Sequence, residues 1–248
     1  VITNPYQGIP AEIVSAMGEC LPVGNSYHEV HKRRTARTVQ LLLEQKPSGK
    51  LLELGTSEVV PKLLSKLKPE LEVHVTDFDN TESKEFVYSV DLETEALPVP
   101  DDSFDVVLCC EVIEHMEVDP MFMMAEINRV LKPEGLLILT TPNITSSRAL
   151  YKILRGDEPY FYMQYRHKPA LYRHNYEYSV SSIKKVLKAA GFSSRVWSED
   201  TFEDAVLDDV EKLRAIGYPL TDVGDNIFAV ATKISPVRNR HPQHIYAD

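Results

Sequence analysis

At 248 residues, with 43% apolar and 26% charged side chains, the chain is long enough for one domain with a full hydrophobic core. Its 37 acidic against 27 basic residues leave a formal charge of −10, which argues against a general grip on a nucleic-acid backbone. No apolar run approaches a bilayer span, and the first thirty residues lack a signal-peptide core. The three cysteines, Cys20, Cys109 and Cys110, cannot build a disulfide framework. Reduced thiols and a cytoplasmic location are expected.

Residues 1 to 26 hold three prolines and two short apolar patches, and read as an irregular arm with room for one helix. Tyr27 to Gln45 favours helix until "KPSG" at 46 to 49 breaks it. The "HKRR" cluster at 31 to 34 reads as a solvated helix face. "KLLEL" is a buried strand ending at Gly55, and "KLLSKLK" has helical spacing after Pro61, which a first turn tolerates. "LEVHVTDF" at 71 to 78, "FVYSV" at 86 to 90 and "SFDVVLCC" at 103 to 110 are strands. "PMFMMAEINRVLKP" fits an amphipathic helix from 120 to about 132, with its Met and Phe stripe in the core. "GLLILTTPN" at 135 to 143 is a fifth strand, and "SVSSIKKVLKAAGF" at 179 to 192 is a helix capped by serines and by Gly191. "SSRVWS" and "NIFAVATK" are two further strands, with an acidic helix around 203 to 215 between them. The tail from Ser235 to 248 is polar and reads as loose.

Such alternation predicts an α/β fold with a mostly parallel sheet covered on both faces. In sheets of that kind ligands bind beyond the carboxyl ends of the strands, so Gly55, Asp77, Asp91, Cys110 to His115 and Thr140 to Asn143 are the places to look. Asp77 lies 22 residues after Gly55, a placement suited to a ribose diol. Asp91 closes the third strand, where its carboxylate and the Leu92 N–H could meet an adenine edge. No metal-ligand spacing appears among the histidines and cysteines, and no metal is expected.

"LLELGTSE", "VTDFD", "VDLETEALPVPDDSFDVVLCCEVIEHM" and "EINRVLKPEGLLILTTPN" resemble, in order and spacing, the class I S-adenosylmethionine-dependent methyltransferases. The likeness is strongest to the type 11 small-molecule group and covers roughly residues 28 to 233. It implies a Rossmann-like three-layer α/β/α sandwich, seven-stranded with the last strand antiparallel. It implies S-adenosyl-L-methionine as cofactor, leaving as S-adenosyl-L-homocysteine. Glu53 would hold the cofactor's amino group above the Gly55 backbone. Asp77 would grip the ribose beside Phe78, with Asp91 and Leu92 at the adenine. Glu111 and Val112 would floor the sulfonium, with His115 at the mouth.

The family's acid-x-Gly-x-Gly-x-Gly loop reads here Glu53-Leu54-Gly55-Thr56-Ser57-Glu58-Val59. Valine tolerates a positive φ badly, so the turn at Val59 is expected to take another path. Ser57 could instead donate to the cofactor carboxylate. The cofactor carries no phosphates, so the strictest need for a glycine loop is absent. A nicotinamide enzyme fits worse for the same reason.

Residues 156 to 179 form a long connection with seven aromatics, expected to act as a substrate lid on the 27 to 234 domain. Its Tyr165, Arg173, His174 and Tyr178, with Tyr27, His28 and His31 from the preceding helix, are candidate acceptor contacts. His115 and His174 are the candidate general bases. The expectation is O-methylation of a small polar metabolite, sugar or natural-product intermediate, with no nucleic-acid or membrane partner and a homodimer left open. The rivals are a non-catalytic interaction module with a degenerate loop, and an RNA or protein methyltransferase.

Overall fold

Apolar runs that end in a glycine or a polar turn assemble into one sheet. The computed structural model describes residues 4–22, 24–55, 58–77, 86–159, 173–202, 208–217 and 220–247. Its strands are β1 (Lys50–Leu54), β2 (Glu72–Thr76), β3 (Val87–Tyr88), β4 (Phe104–Cys110), β5 (Leu131–Pro142), β6 (Phe192–Glu199) and β7 (Asn226–Lys233). They pair in the order β3-β2-β1-β4-β5-β7-β6. The pairs from β3 through β5 are parallel, and β7 runs antiparallel to both β5 and β6, as expected for the last strand. Strand order reverses between β1 and β4, so the ligand crevice of such a sheet opens there.

The two-residue period of the strands sorts the core into two layers. On one face Leu51, Val106, Leu108, Ile138 and Phe228 meet Leu41 and Leu42 of α2 (Ser26–Glu44) and Val60 and Leu64 of α3 (Val59–Leu67). On the other, Leu52, Leu54, Val107, Leu137 and Leu139 meet α4 (Pro120–Val130) and α6 (Val180–Ala189). The N-terminal arm contains α1 (Ala11–Cys20), whose Ile13 and Met17 pack on Val39, Val59 and Leu63. The side chain of Asn25 caps α2 by accepting from the Tyr27 and His28 amides.

Gly191 ends α6 with φ +91, and its carbonyl accepts from Ile234 N at 3.0 Å and Ser235 N at 3.2 Å. A Cβ there would lie 2.3 Å from the Ser235 carbonyl oxygen, so only glycine lets this helix end meet the exit of β7.

Four features depart from expectation. α4 stops at Val130 because Leu131 already pairs with Phe104 as strand, and the "KPEG" turn puts Glu134 at φ 62. A helix not anticipated, α5 (Ser147–Leu154), starts where the Ser146 hydroxyl accepts from Ala149 N. "HKRR" is no solvated face: His31 and Arg34 are buried, and Arg33 donates to the carbonyls of Pro5, Gln7 and Asp200. The C-terminal tail is held rather than loose. Tyr246 donates to Asp119 and accepts from Met121 N, Arg240 pairs with Asp119 at 2.6 Å, and Ile245 packs on the core.

Asp119 therefore serves twice, as N-cap of α4 through Phe122 N and as anchor of the tail. Burial alone would raise its carboxyl, but Arg240 and Tyr246 hold it down to about 2. The contact's contribution is thus complete above the ordinary carboxylate range and lost as pH falls toward about 2. Asp119→Ala should cost about 1–2 kcal/mol in urea unfolding, from cap and anchor together. Arg240→Ala should cost under about 1 kcal/mol. Both should speed proteolytic removal of the tail; cleavage at the wild-type rate would contradict the docking.

Candidate active site

The sheet brings the ends of β1, β2 and β4 side by side through the pairs Glu53↔Val75 and Glu53↔Leu108. Glu53 shares the strand period of Leu51 and is buried, one residue before the strand ends. Gly55 follows with φ +64, and its N–H donates to Thr76 Oγ1 at 2.9 Å. A Cβ on Gly55 would stand 3.2 Å from Val112 Cγ2, so a side chain there would have to displace Val112. Glu58 has a positive φ of 56°, and Val59 opens α3 with its side chain buried against α1.

Asp77 sits half-buried just past β2, its amide donating to the Tyr88 carbonyl at 2.9 Å. Asp91 is differently employed. Its carboxylate accepts from Glu93 N at 2.9 Å and Thr94 Oγ1 at 2.8 Å, closing its own turn, while Leu92 packs beside the core. Ser57, Phe78 and Tyr165 lie outside the described residues. So does most of the expected lid, which is described only at 156–159 and 173–179.

Glu111 follows β4 in the left-handed region at φ 57, a conformation a non-glycine residue keeps only when its surroundings over-determine it. Its amide donates to the Thr140 carbonyl at 2.8 Å. Arg34 Nη1 reaches Oε2 at 2.8 Å, Thr140 Oγ1 donates to Oε1 at 2.8 Å, and Asn226 Nδ2 lies 3.3 Å from both oxygens. Arg34 also donates to the Tyr27 hydroxyl at 3.1 Å. Burial, with Glu53 and Glu111 adding negative potential, pushes the neighbouring Cys110 thiol upward.

Three residues on, Glu114 is wholly buried in a single 3-10 turn at Ile113–His115. Thr141 Oγ1 donates to its Oε2 at 2.9 Å, whereas Oε1 is buried with no hydrogen-bond partner. Burial and the charge of Glu111 raise its carboxyl well above the ordinary range. The 173–176 segment is stitched onto this turn by Asn175 N, which donates to the Glu114 carbonyl at 2.8 Å, and by Asn175 Nδ2, which donates to the His115 carbonyl at 2.8 Å. His115 Nδ1 meets the Arg173 carbonyl at 3.0 Å, and His174 Nδ1 meets Glu177 Oε1 at 3.1 Å. The two imidazoles cross at 78° with centroids 4.9 Å apart. Burial lowers the pKa of His115, so it is neutral near pH 7.

The structure thus joins His115, His174 and Arg173 in one cluster. It sets Glu53, Gly55, Glu111 and Val112 around the β1 and β4 ends. Tyr27 and His31 form a separate ring pair at 4.5 Å, with Phe202 5.6 Å beyond and His28 5.5 Å from Tyr27. Burial, then Arg34 and His28, drives His31 down to about 3, which keeps it neutral. Tyr178 is only 1% exposed and packs within the core rather than in an open crevice. Sequence reasoning missed Arg34, Glu114 and Glu177. Two glutamates three apart at a strand end, with histidine next, were the available signal.

A methyltransferase domain profile matches residues 27–196, and that stretch contains every residue of both clusters except Asn226. The chain belongs to the methyltransferase domain family. Among solved structures it is similar to a SAM-dependent methyltransferase from Archaeoglobus fulgidus, at TM-score 0.54 and 17% identity over 83% of this chain and 97% of that one. A Thermotoga maritima methyltransferase, described as a possible histamine N-methyltransferase, aligns at TM-score 0.55 and 17% identity over 88% and 99%. These similarities show a shared fold. Among curated proteins, the ubiquinone biosynthesis O-methyltransferase of Rickettsia bellii is 40% identical over 57 residues. That stretch spans 23% of each chain.

The cofactor of this methyltransferase class is S-adenosylmethionine, and the residues present fit it. Gly55 offers bare backbone where a Cβ would crowd Val112. Glu53 sets a buried carboxylate two residues before that glycine, which suits a group carrying positive charge.

The Arg34–Glu111 pair is buried, so breaking it on one side leaves a charge without its counter-ion. Arg34→Met should cost about 3 kcal/mol in urea unfolding, and Arg34→Met/Glu111→Gln should recover part of that loss. A single variant within about 0.5 kcal/mol of wild type would mean that Glu111 is solvated.

Proposed function

We propose that the protein moves a methyl group from S-adenosylmethionine to an oxygen of a small polar acceptor. The observation that carries this reading is the joining of acids at the β1, β2 and β4 ends to a histidine and glutamate cluster one turn beyond. The bound cofactor supplies a methyl group already activated on sulfur, so the chain's own tasks are to align the acceptor, exclude water and manage a proton.

In this reading Glu53 takes the cofactor's amino group, and the Gly55 backbone passes beneath it. Asp77 accepts from the ribose hydroxyls, with Phe78 alongside. Leu92 lies at the adenine, where Asp91 contributes through the turn it closes. Val112 and the clamped Glu111 form the floor, and Ser57 is a donor to the cofactor carboxylate. The acceptor lies toward His115, Arg173 and the ring pair of Tyr27 and His31, with His28 and Tyr165 as further contacts. Tyr178 supports that wall from behind. An acceptor hydroxyl must lose its proton, and the Glu114–His115–His174 cluster is the group suited to that task. The O-methyltransferase similarity supports oxygen as the atom methylated. The charge of −10 supports a small acceptor over RNA.

Calorimetry should register binding of S-adenosylmethionine and of S-adenosylhomocysteine in the micromolar range. Glu53→Gln and Asp77→Ala each remove a charge-assisted contact worth about 1.5–3 kcal/mol, and should weaken binding roughly tenfold to a hundredfold. No heat for either ligand would overturn the reading.

A further inference from the structure

Glu114, His115 and His174 come together from two segments that the chain separates by more than fifty residues. One ligand-type atom from each lies within 4.8 Å of the other two, the one such grouping among the described residues. We propose that this cluster is a divalent transition-metal site whose open coordination positions take an oxygen of the acceptor.

Four observations carry the site. Both histidines have Nδ1 tied to an oxygen, the Arg173 carbonyl for His115 and Glu177 for His174. That partnership fixes the tautomer and turns Nε2 into a lone-pair donor, the arrangement found behind metal-bound histidines. His115 Nε2 stands 4.0 Å from Glu114 Oε1, and bonds of about 2.0–2.2 Å to a common ion would need only a small closure. Glu114 Oε1 is buried and lacks any donor, although a buried carboxylate oxygen without one is costly. Arg34, whose charge reaches Glu114, is already engaged by Glu111.

Two imidazoles and a carboxylate select a first-row ion such as zinc, cobalt or iron(II) over magnesium or calcium. Three protein ligands leave positions open, and an ion there acts as a Lewis acid on a bound hydroxyl. The acceptor's role rests on the methyl-transfer reading; ion binding itself does not. In that role the acceptor hydroxyl loses its proton to water. Its oxygen then forms the O–C bond as the C–S bond breaks, with the electron pair leaving on sulfur. A nitrogen bound to the ion cannot also accept a proton, so the ion takes over the task otherwise given to His115 or His174 as a base.

The test uses the full chain, stripped with chelator and titrated with Co²⁺ alone. One equivalent should produce visible d–d absorption without a thiolate charge-transfer band. His115→Ala and His174→Ala should abolish it, Glu177→Gln should weaken binding about tenfold or more, and His241→Ala should leave it unchanged. Should the alanine variants fail to fold, the wild-type spectrum and Glu177→Gln carry the decision. No spectrum at one equivalent, a thiolate band, or an unchanged spectrum in His174→Ala or Glu177→Gln would overturn the site. Calorimetry of metal-free protein with S-adenosylhomocysteine separates the two ideas: cofactor heat without cobalt binding defeats the ion alone. Cobalt binding without cofactor heat supports the ion and defeats the transfer reading.

Discussion

A carboxylate buried at the end of a central strand must be neutralised, and in this protein Arg34 does it. The Arg34–Glu111 pair ties the first long helix across the carboxyl end of β4, and Thr140 and Asn226 extend the tie to β5 and β7. Four elements far apart in the chain are thereby held to one atom group. The constraint accounts for a glutamate kept at φ 57, since its amide and both carboxylate oxygens are bonded in that pose. It also explains how a basic stretch in an acidic chain becomes internal. In the proposed reading this pair fixes the position of the residues beneath the sulfonium, as the alignment of transfer chemistry needs.

Glu111 and Glu114 show how one short stretch treats a part-buried and a fully buried acid in opposite ways. Glu111 receives a cation, a hydroxyl and an amide, while Glu114 receives one hydroxyl and keeps an oxygen unmet. The charge retained on Glu111 raises the cost of a second negative charge on Glu114. A site arranged in this way favours either a proton or an external cation at Glu114. The two histidines, each oriented by an oxygen at Nδ1, stand where such a cation would be shared.

Much of this was legible in the residue order. Continuous or alternating apolar runs marked β1, β4, β5 and β7, and acids or glycine at their ends marked the crevice, because a parallel sheet forces both properties on its sequence. Gly191 declared a helix end. What stayed hidden depended on partners distant in the chain. Arg34 looked like one more surface cation because its counter-ion lies 77 residues away. Tyr246 and Arg240 looked like a loose tail because their anchor, Asp119, lies 121 residues before Arg240 in the chain. Glu114, His115 and His174 have no ligand spacing along the chain and acquire one only through Asn175 and the strand-end turn. The α5 start failed to register because Ser146 sits in a polar run that equally suits a loop.

In the proposed reading an adenosine bearing a sulfonium binds over Gly55, between the ends of β1, β2 and β4. A crystal structure grown with saturating S-adenosylhomocysteine tests it most directly. Nucleoside density is expected there, with the ribose hydroxyls on Asp77 and the sulfur above Glu111 and Val112. Well-defined side chains filling the same space, with the nucleoside absent or bound elsewhere, would contradict it.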